Sequence, residues 1–206
     1  MLNSEGFDLW ADGYDKSVRL ADEGDTYPFA GYRDVLAAIY AAVRQSGARS
    51  VLDVGVGTGV LAGRLYQDGC AVTALDFSAG MLSLAREKMP YARLIQWDFN
   101  CGLPPGLNGA RFDAIVSTYA LHHLKGEDKT RLIDALLSCL NPGGGLWIGD
   151  VAFPSRAALE DCRQKNIQIW DDDEDYLVFD ELLRRFPRAV FTPFSPCAGV
   201  ASIRPC

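Results

Sequence analysis

The apolar positions of the chain follow two alternating periods. Short continuous runs at 50–54, 71–76, 92–97, 112–117 and 145–150 have the length and composition of buried strands. Between them, apolar residues recur every three to four positions. Residues 33–46 put Val35, Leu36, Ile39, Tyr40 and Val43 on one side of a helix that Gly47 ends. A second helix covers about 59–68 and closes at Gly69. Ser78 is an N-cap for a third, whose buried face carries Met81, Leu82, Leu84, Ala85 and Met89 and which Pro90 stops. A helix over 127–140 buries Leu132, Ile133, Leu136, Leu137 and Leu140, and Glu127 and Asp128 in its first turn suit the helix dipole. Strands alternating with helices predict a parallel sheet covered on both faces. The tail predicts helices over 155–169 and 178–186 and strands near 188–194 and 198–204. Pro193, Pro196 and Pro205 donate no ladder hydrogen bond, so these strands are expected to be edge-like or bulged. No repeat, linker or low-complexity segment divides the chain, and one domain is expected over 1–206.

The first strand runs into Val54-Gly55-Val56-Gly57-Thr58-Gly59, and the second ends on Asp76. A glycine turn between a strand and a helix lets a ligand approach the backbone, and the helix start offers unpaired N–H groups. A carboxylate at the end of the next strand can accept both hydrogen bonds of a ribose diol. The spacing departs from the dinucleotide fingerprint G-x-G-x-x-G, because Val60 stands where the third glycine belongs and Gly59 comes one residue early. Asp53, two residues before Gly55, would repel a pyrophosphate and favour an amine or a cation. S-adenosylmethionine combines adenine, ribose, ammonium and sulfonium without a phosphate.

Leu52-Asp53-Val54-Gly55-Val56-Gly57-Thr58-Gly59 resembles the glycine motif of the class I S-adenosylmethionine-dependent methyltransferases, and Asp76 falls where that family keeps its ribose-binding acid. Trp97-Asp98-Phe99 with Leu103-Pro104 resembles the motif after the third strand. Phe112-Asp113-Ala114-Ile115-Val116-Ser117 resembles the fourth strand, and Asn141-Pro142-Gly143-Gly144 the turn into the fifth. Trp10-Ala11-Asp12-Gly13-Tyr14-Asp15, Phe29-Ala30-Gly31-Tyr32 and Ser117-Thr118-Tyr119-Ala120-Leu121-His122-His123-Leu124 are similar to a small bacterial subgroup of the family. The likeness spans about residues 10 to 150. It implies an α/β, Rossmann-like three-layer sandwich with a mostly parallel seven-stranded sheet whose last strand is antiparallel. Residues 1–46 would form a helical cap over the cofactor cleft, and 47–206 the core.

The resemblance further implies that Asp53, Gly55, Gly57, Gly59 and Asp76 hold the cofactor. It implies that Phe77 and Phe99 flank the adenine, that Asp98 accepts from the adenine amine, and that backbone at Ser117 meets the methionine ammonium. Tyr14 and Tyr32 would close over the methionine moiety. The alternatives are a plain turn for the glycines, a core aromatic for Phe77 and an Asx-turn before Asn100 for Asp98. His122 and His123 follow the fourth strand, where loops of an open α/β sheet carry function. Neighbours in a helical turn do not both face a cleft, so His122 is expected toward the substrate as a proton acceptor and His123 inward. A satisfied structural histidine is the alternative for each. Asp171-Asp172-Asp173-Glu174-Asp175 reads as a solvated surface run.

A net charge of −7 argues against nucleic acid or anionic membranes as partners, and for a small-molecule acceptor. No early apolar segment predicts a signal peptide, and no run reaches the roughly 20 residues of a membrane span. The six cysteines form no C-x-x-C pair, so no metal site is expected and a reducing cytoplasm is. A monomer or homodimer fits. Two other readings stay open: a non-catalytic sensor of S-adenosylmethionine, and an NAD-dependent oxidoreductase on the same sheet.

Overall fold

The structure, a computed structural model, describes residues 26–205. Within them the elements run α1 (Tyr32–Gln45), β1 (Ser50–Val54), α2 (Val60–Gln67), β2 (Ala71–Asp76), α3 (Ala79–Lys88), β3 (Arg93–Gln96), β4 (Phe112–Thr118), α4 (Gly126–Ser138), β5 (Leu140–Phe153), α5 (Arg156–Lys165), β6 (Leu177–Val178), α6 (Phe179–Arg185), β7 (Val190–Pro193) and β8 (Ala198–Ile203). The sheet has the order β3-β2-β1-β4-β5-β8-β7, with β6 pairing β5 off that path. β1 to β5 are parallel, and β8 runs antiparallel to both neighbours. The α/β sandwich with an antiparallel last strand is thus the expected one, extended by the two-residue β6.

Strands covered on both faces explain the unbroken apolar runs. On one face Val51, Val72, Ala74, Ala114 and Val116 pack against Ile39 and Val43 of α1, Leu65 of α2 and Ala85 of α3. On the other, Leu52, Leu75, Ile115 and Ile148 meet Leu132, Ile133 and Leu136 of α4 and Leu182 of α6. Ser78 caps α3 by accepting from Met81 N at 3.0 Å, as the sequence predicts.

Three boundaries and one strand position differ from expectation. Leu140 belongs to β5 and not to the preceding helix. β5 is longer than the predicted strand because Asn141–Gly144 bulge between the pairs Phe112↔Leu140 and Ala114↔Gly145, and because its far end extends to pair β6. α5 stops at Lys165, where the Asn166 amide folds back onto Cys162 O at 2.9 Å. Of the two terminal strands only β7, carrying Pro193, is an edge. β8 lies inside the sheet, which it can do because Pro196 and Pro205 fall outside it.

Asp113 ties three strands at their amino ends. Its carboxylate accepts from Arg49 N and Ser50 N at 2.9 Å each and from the Asn141 amide at 2.7 Å. Asn141 first, then those two backbone donors, hold the carboxyl down at about 2. A depressed acid stabilises the fold above its unfolded value and loses that contribution as pH falls from about 4 to 2. Asp113→Ala is expected to lower stability by about 2 kcal/mol at neutral pH, with the gap to wild type closing in acid, measured by urea unfolding.

Candidate cofactor site

The strand order reverses between β1 and β4, which opens a crevice at their carboxyl ends. A cleft sits there. Its walls come from three strand ends: Gly55, Val56, Gly57 and Thr58 after β1, Asp76 and Phe77 after β2, and Thr118, Tyr119 and Ala120 after β4. Phe99, Met81, His123, Val60 and Leu61 of α2 and, from α1, Tyr32 and Leu36 complete it.

The glycine loop is built by hydrogen bonds to β2. Gly55 N and Val56 N both donate to Leu75 O at 2.9 Å, and Gly57 N donates to Asp76 Oδ2 at 2.8 Å. The other carboxylate oxygen, Asp76 Oδ1, accepts from Ser78 N at 3.0 Å. Asp76 therefore orders the loop and faces the cleft at once. Gly55 has φ of 77°, and a methyl group there would overlap Ala120 Cβ. Gly57 has φ of 53°, with open space where a Cβ would project. Gly55→Ala is expected to cost at least about 2 kcal/mol, from a left-handed backbone and a steric overlap together, read as a lower urea midpoint.

Gly59 turns out to do a different job. It caps α2 and is absent from the cleft wall; a methyl group there would press to 3.2 Å from Ala85 Cβ and 3.1 Å from Met89 Cε. Its missing side chain lets α2 and α3 approach, which is the packing role of a third glycine.

Asp53 lies behind the loop, buried among apolar residues, and its Oδ1 has no hydrogen-bond partner among the described residues. Burial, and then the Asp76 charge, push its carboxyl up to about 8. An orphaned acid beside a glycine cradle fits a ligand that brings an amine or a cation.

Two further residues were expected in the cleft and stand beside it. Asp98 is exposed, and its Oδ1 accepts from Asn100 N at 2.9 Å and the Asn100 amide at 2.7 Å. This Asx-turn starts the short 3₁₀ turn Phe99–Cys101, so Asp98 sets the position of Phe99 in the wall. Ser117 is buried and donates from Oγ to Val54 O at 2.7 Å, pinning β4 to β1; the next residue, Thr118, reaches the cleft. Tyr14 and Trp10 lie outside the described residues.

The histidines are reversed from expectation. His123 lines the cleft, and His122 turns into the protein. Asp150 of β5 causes the reversal: its Oδ1 holds His122 Nδ1 at 2.5 Å, and its Oδ2 accepts from His122 N at 3.2 Å. Burial works against an imidazolium at His122, but the charge and hydrogen bond of Asp150 outweigh it and raise the group above its ordinary value. Burial and the neighbouring His122 charge bring His123 down to about 3, so its ring is neutral. The acidic run is also only partly solvated. Asp171 to Asp173 are exposed, whereas Asp175 donates from its N to His122 O at 2.9 Å and accepts from Gly126 N at 2.7 Å.

Sequence reasoning placed Thr118 with Ser117 at the mouth of the site but assigned no role to Tyr119 or Asp150. Tyr119 adopts φ of 49°, unusual for a bulky residue, and packs at the cleft mouth in tilted ring contacts, with its centroid 4.9 Å from Tyr32 and 5.6 Å from Phe29. A charged residue inside the apolar fifth strand was the available signal for Asp150.

An open α/β sheet with a glycine turn, a strand-end carboxylate and an apolar cleft at its switch point defines a nucleoside-type ligand site. The sequence profile of the methyltransferase domain matches residues 51–144. An uncharacterised methyltransferase of Geobacillus sp. (strain WCH70) is 35% identical over 195 residues, covering 90% of this chain and 88% of that protein. One from Anoxybacillus flavithermus is 35% identical over 198 residues, covering 92% and 90%. The chain belongs to this family, the class I S-adenosylmethionine-dependent methyltransferases. Among solved structures, a DhpI–SAH complex shares the fold with a TM-score of 0.68 at 21% identity, covering 98% of this chain and 94% of that one. Magnesium protoporphyrin IX methyltransferase from Synechocystis, with bound SAH, has a TM-score of 0.68 at 18% identity, covering 94% and 95%. Among the described residues no helix is long and apolar enough to cross a membrane.

Proposed function

We propose that the protein transfers the methyl group of S-adenosylmethionine to an oxygen or nitrogen of a small-molecule acceptor by in-line displacement. The observation that carries this reading is Asp76, held by two backbone N–H groups and facing the cleft beside glycines of positive φ. In this reading Asp76 accepts from the ribose hydroxyls, while Phe77 and Phe99 sandwich the adenine. Backbone of Thr118 to Ala120 meets the methionine end. Tyr32 and Tyr119 close the methyl side.

Bound cofactor supplies an electrophilic methyl on a sulfonium. The chain has to align the nucleophile behind it and exclude water, and such alignment is worth roughly 7–11 kcal/mol of barrier. A general base adds about 10²–10⁴-fold. His122 was the expected base, but its ring is engaged by Asp150, and the neutral His123 at the cleft wall is a weak acceptor. Positioning therefore carries most of the rate. An overall charge of −7 favours a neutral or cationic small molecule over nucleic acid.

The test incubates the protein with methyl-labelled S-adenosylmethionine and a size-fractionated cell extract. Label appearing in the small-molecule fraction is expected. Label confined to protein or nucleic acid would overturn the acceptor class, and cofactor binding with no transfer to any fraction would point to a sensor.

A further inference from the structure

Beside the cleft, and outside the proposed cofactor contacts, His122, His123 and Glu174 bring three ligand atoms within 4.8 Å of one another. The arrangement has features that a chance meeting of side chains lacks. Asp150 accepts at His122 Nδ1, 2.5 Å away, which fixes the ring and turns Nε2 toward Glu174. A carboxylate behind a ligating imidazole is the usual second layer of a metal site. His122 Nε2 stands 3.6 Å from Glu174 Oε1, just beyond hydrogen-bond reach. Two atoms bound to a tetrahedral zinc at about 2.0–2.2 Å stand roughly 3.3–3.6 Å apart. The loop carrying Glu174 is also clamped to the histidine turn: Asp175 binds His122 O and Gly126 N, and the buried Lys129 ammonium donates to Asp175 O.

We infer that His122, His123 and Glu174 form a binding site for a divalent transition-metal ion, zinc in the first instance. Two imidazoles and a carboxylate are a donor set that zinc accepts, and three protein ligands leave a fourth position for water. The histidine pair thus offers what the scattered cysteines do not. The ion would sit in the wall between the cleft and the acidic loop, with His123 shared by both. Binding is read without cofactor or acceptor, so the site stands or falls independently of the methyl-transfer reading.

The test strips the protein with chelator, alkylates the exposed Cys101 thiol and titrates zinc sulfate by calorimetry, with cobalt(II) absorption as a second readout. One zinc per chain, with a Kd tighter than about 10 µM, is expected. Glu174→Gln should weaken binding by about 10-fold or more. Asp150→Asn, which removes no ligand but loosens the His122 ring, should weaken it about 10–100-fold. Glu160→Gln, on the exposed face of α5, should leave it unchanged. Melting curves confirm that each variant is folded; because Glu174 lies toward the surface, its variant keeps the test decisive if changes at the buried positions unfold the chain. Zinc binding weaker than about 10 µM, or equal affinity in wild type and folded Glu174→Gln, would mean that His122 is simply an imidazolium between two carboxylates.

Discussion

Asp76→Ala is expected to lower the affinity for S-adenosylhomocysteine by about 100-fold or more, while His122→Ala leaves it within about threefold. The carboxylate does two things that the substitution removes together. It offers the ribose its acceptors, and hydrogen bonds to a charged group contribute about 1.5–3 kcal/mol each. It also anchors Gly57 N, so the glycine loop loses its tie to β2. His122 faces Asp150 and not the cleft, so its loss removes no cofactor contact. Calorimetric titration of both variants checks this, and equal affinities would refute the assignment of Asp76. Asp76→Asn keeps one acceptor oxygen, so it can hold Gly57 N or Ser78 N but not both, and its affinity should fall between wild type and Asp76→Ala.

The second large effect is a stability that falls with rising pH. Asp53 has its carboxyl pushed up to about 8, by burial first and the Asp76 charge second. Its unfolded value is about 3.9. Between these limits the folded chain holds a proton that the unfolded chain has released, so raising the pH from about 4 to 8 favours unfolding, with no further loss above that window. A shift of that size sets a ceiling of about 6 kcal/mol. Asp53→Asn cannot ionise and should flatten the profile, so the variant gains on wild type between pH 5 and 8.5. Urea unfolding across that range reads the difference directly. Parallel curves would show that Asp53 ionises without penalty, and hence that its surroundings are wetter than the packing of β1 indicates.

Much of the architecture was legible because each signal is local. Apolar runs of strand length, helical periodicity with Ser78 and Gly47 as punctuation, and glycines at a strand end each specify backbone over a few residues. The same locality explains the misses. Leu140 carries a helix-compatible pattern, and only its pairing with Phe112 across the bulge places it in a strand. Gly59 belongs to the motif by spacing, yet Ala85 and Met89, more than twenty positions away, show that it serves helix packing. Ser117 and Thr118 are neighbours that alternate between a pin on Val54 and the cleft wall, and strand phase decides which is which.

The sequence by itself determined the sandwich, the glycine turn and the carboxylate at the end of β2, because these follow from hydrophobic period and from what backbone near a nucleoside requires. The tertiary structure alone decided which histidine faces the cleft. Asp150 lies 28 positions from His122 and meets it only because β5 pairs with β4, and a buried carboxylate takes the imidazole it can reach. Glu174 arrives from another loop for the same reason: chemistry that depends on distance between remote residues is written in the packing and not in the order of the chain.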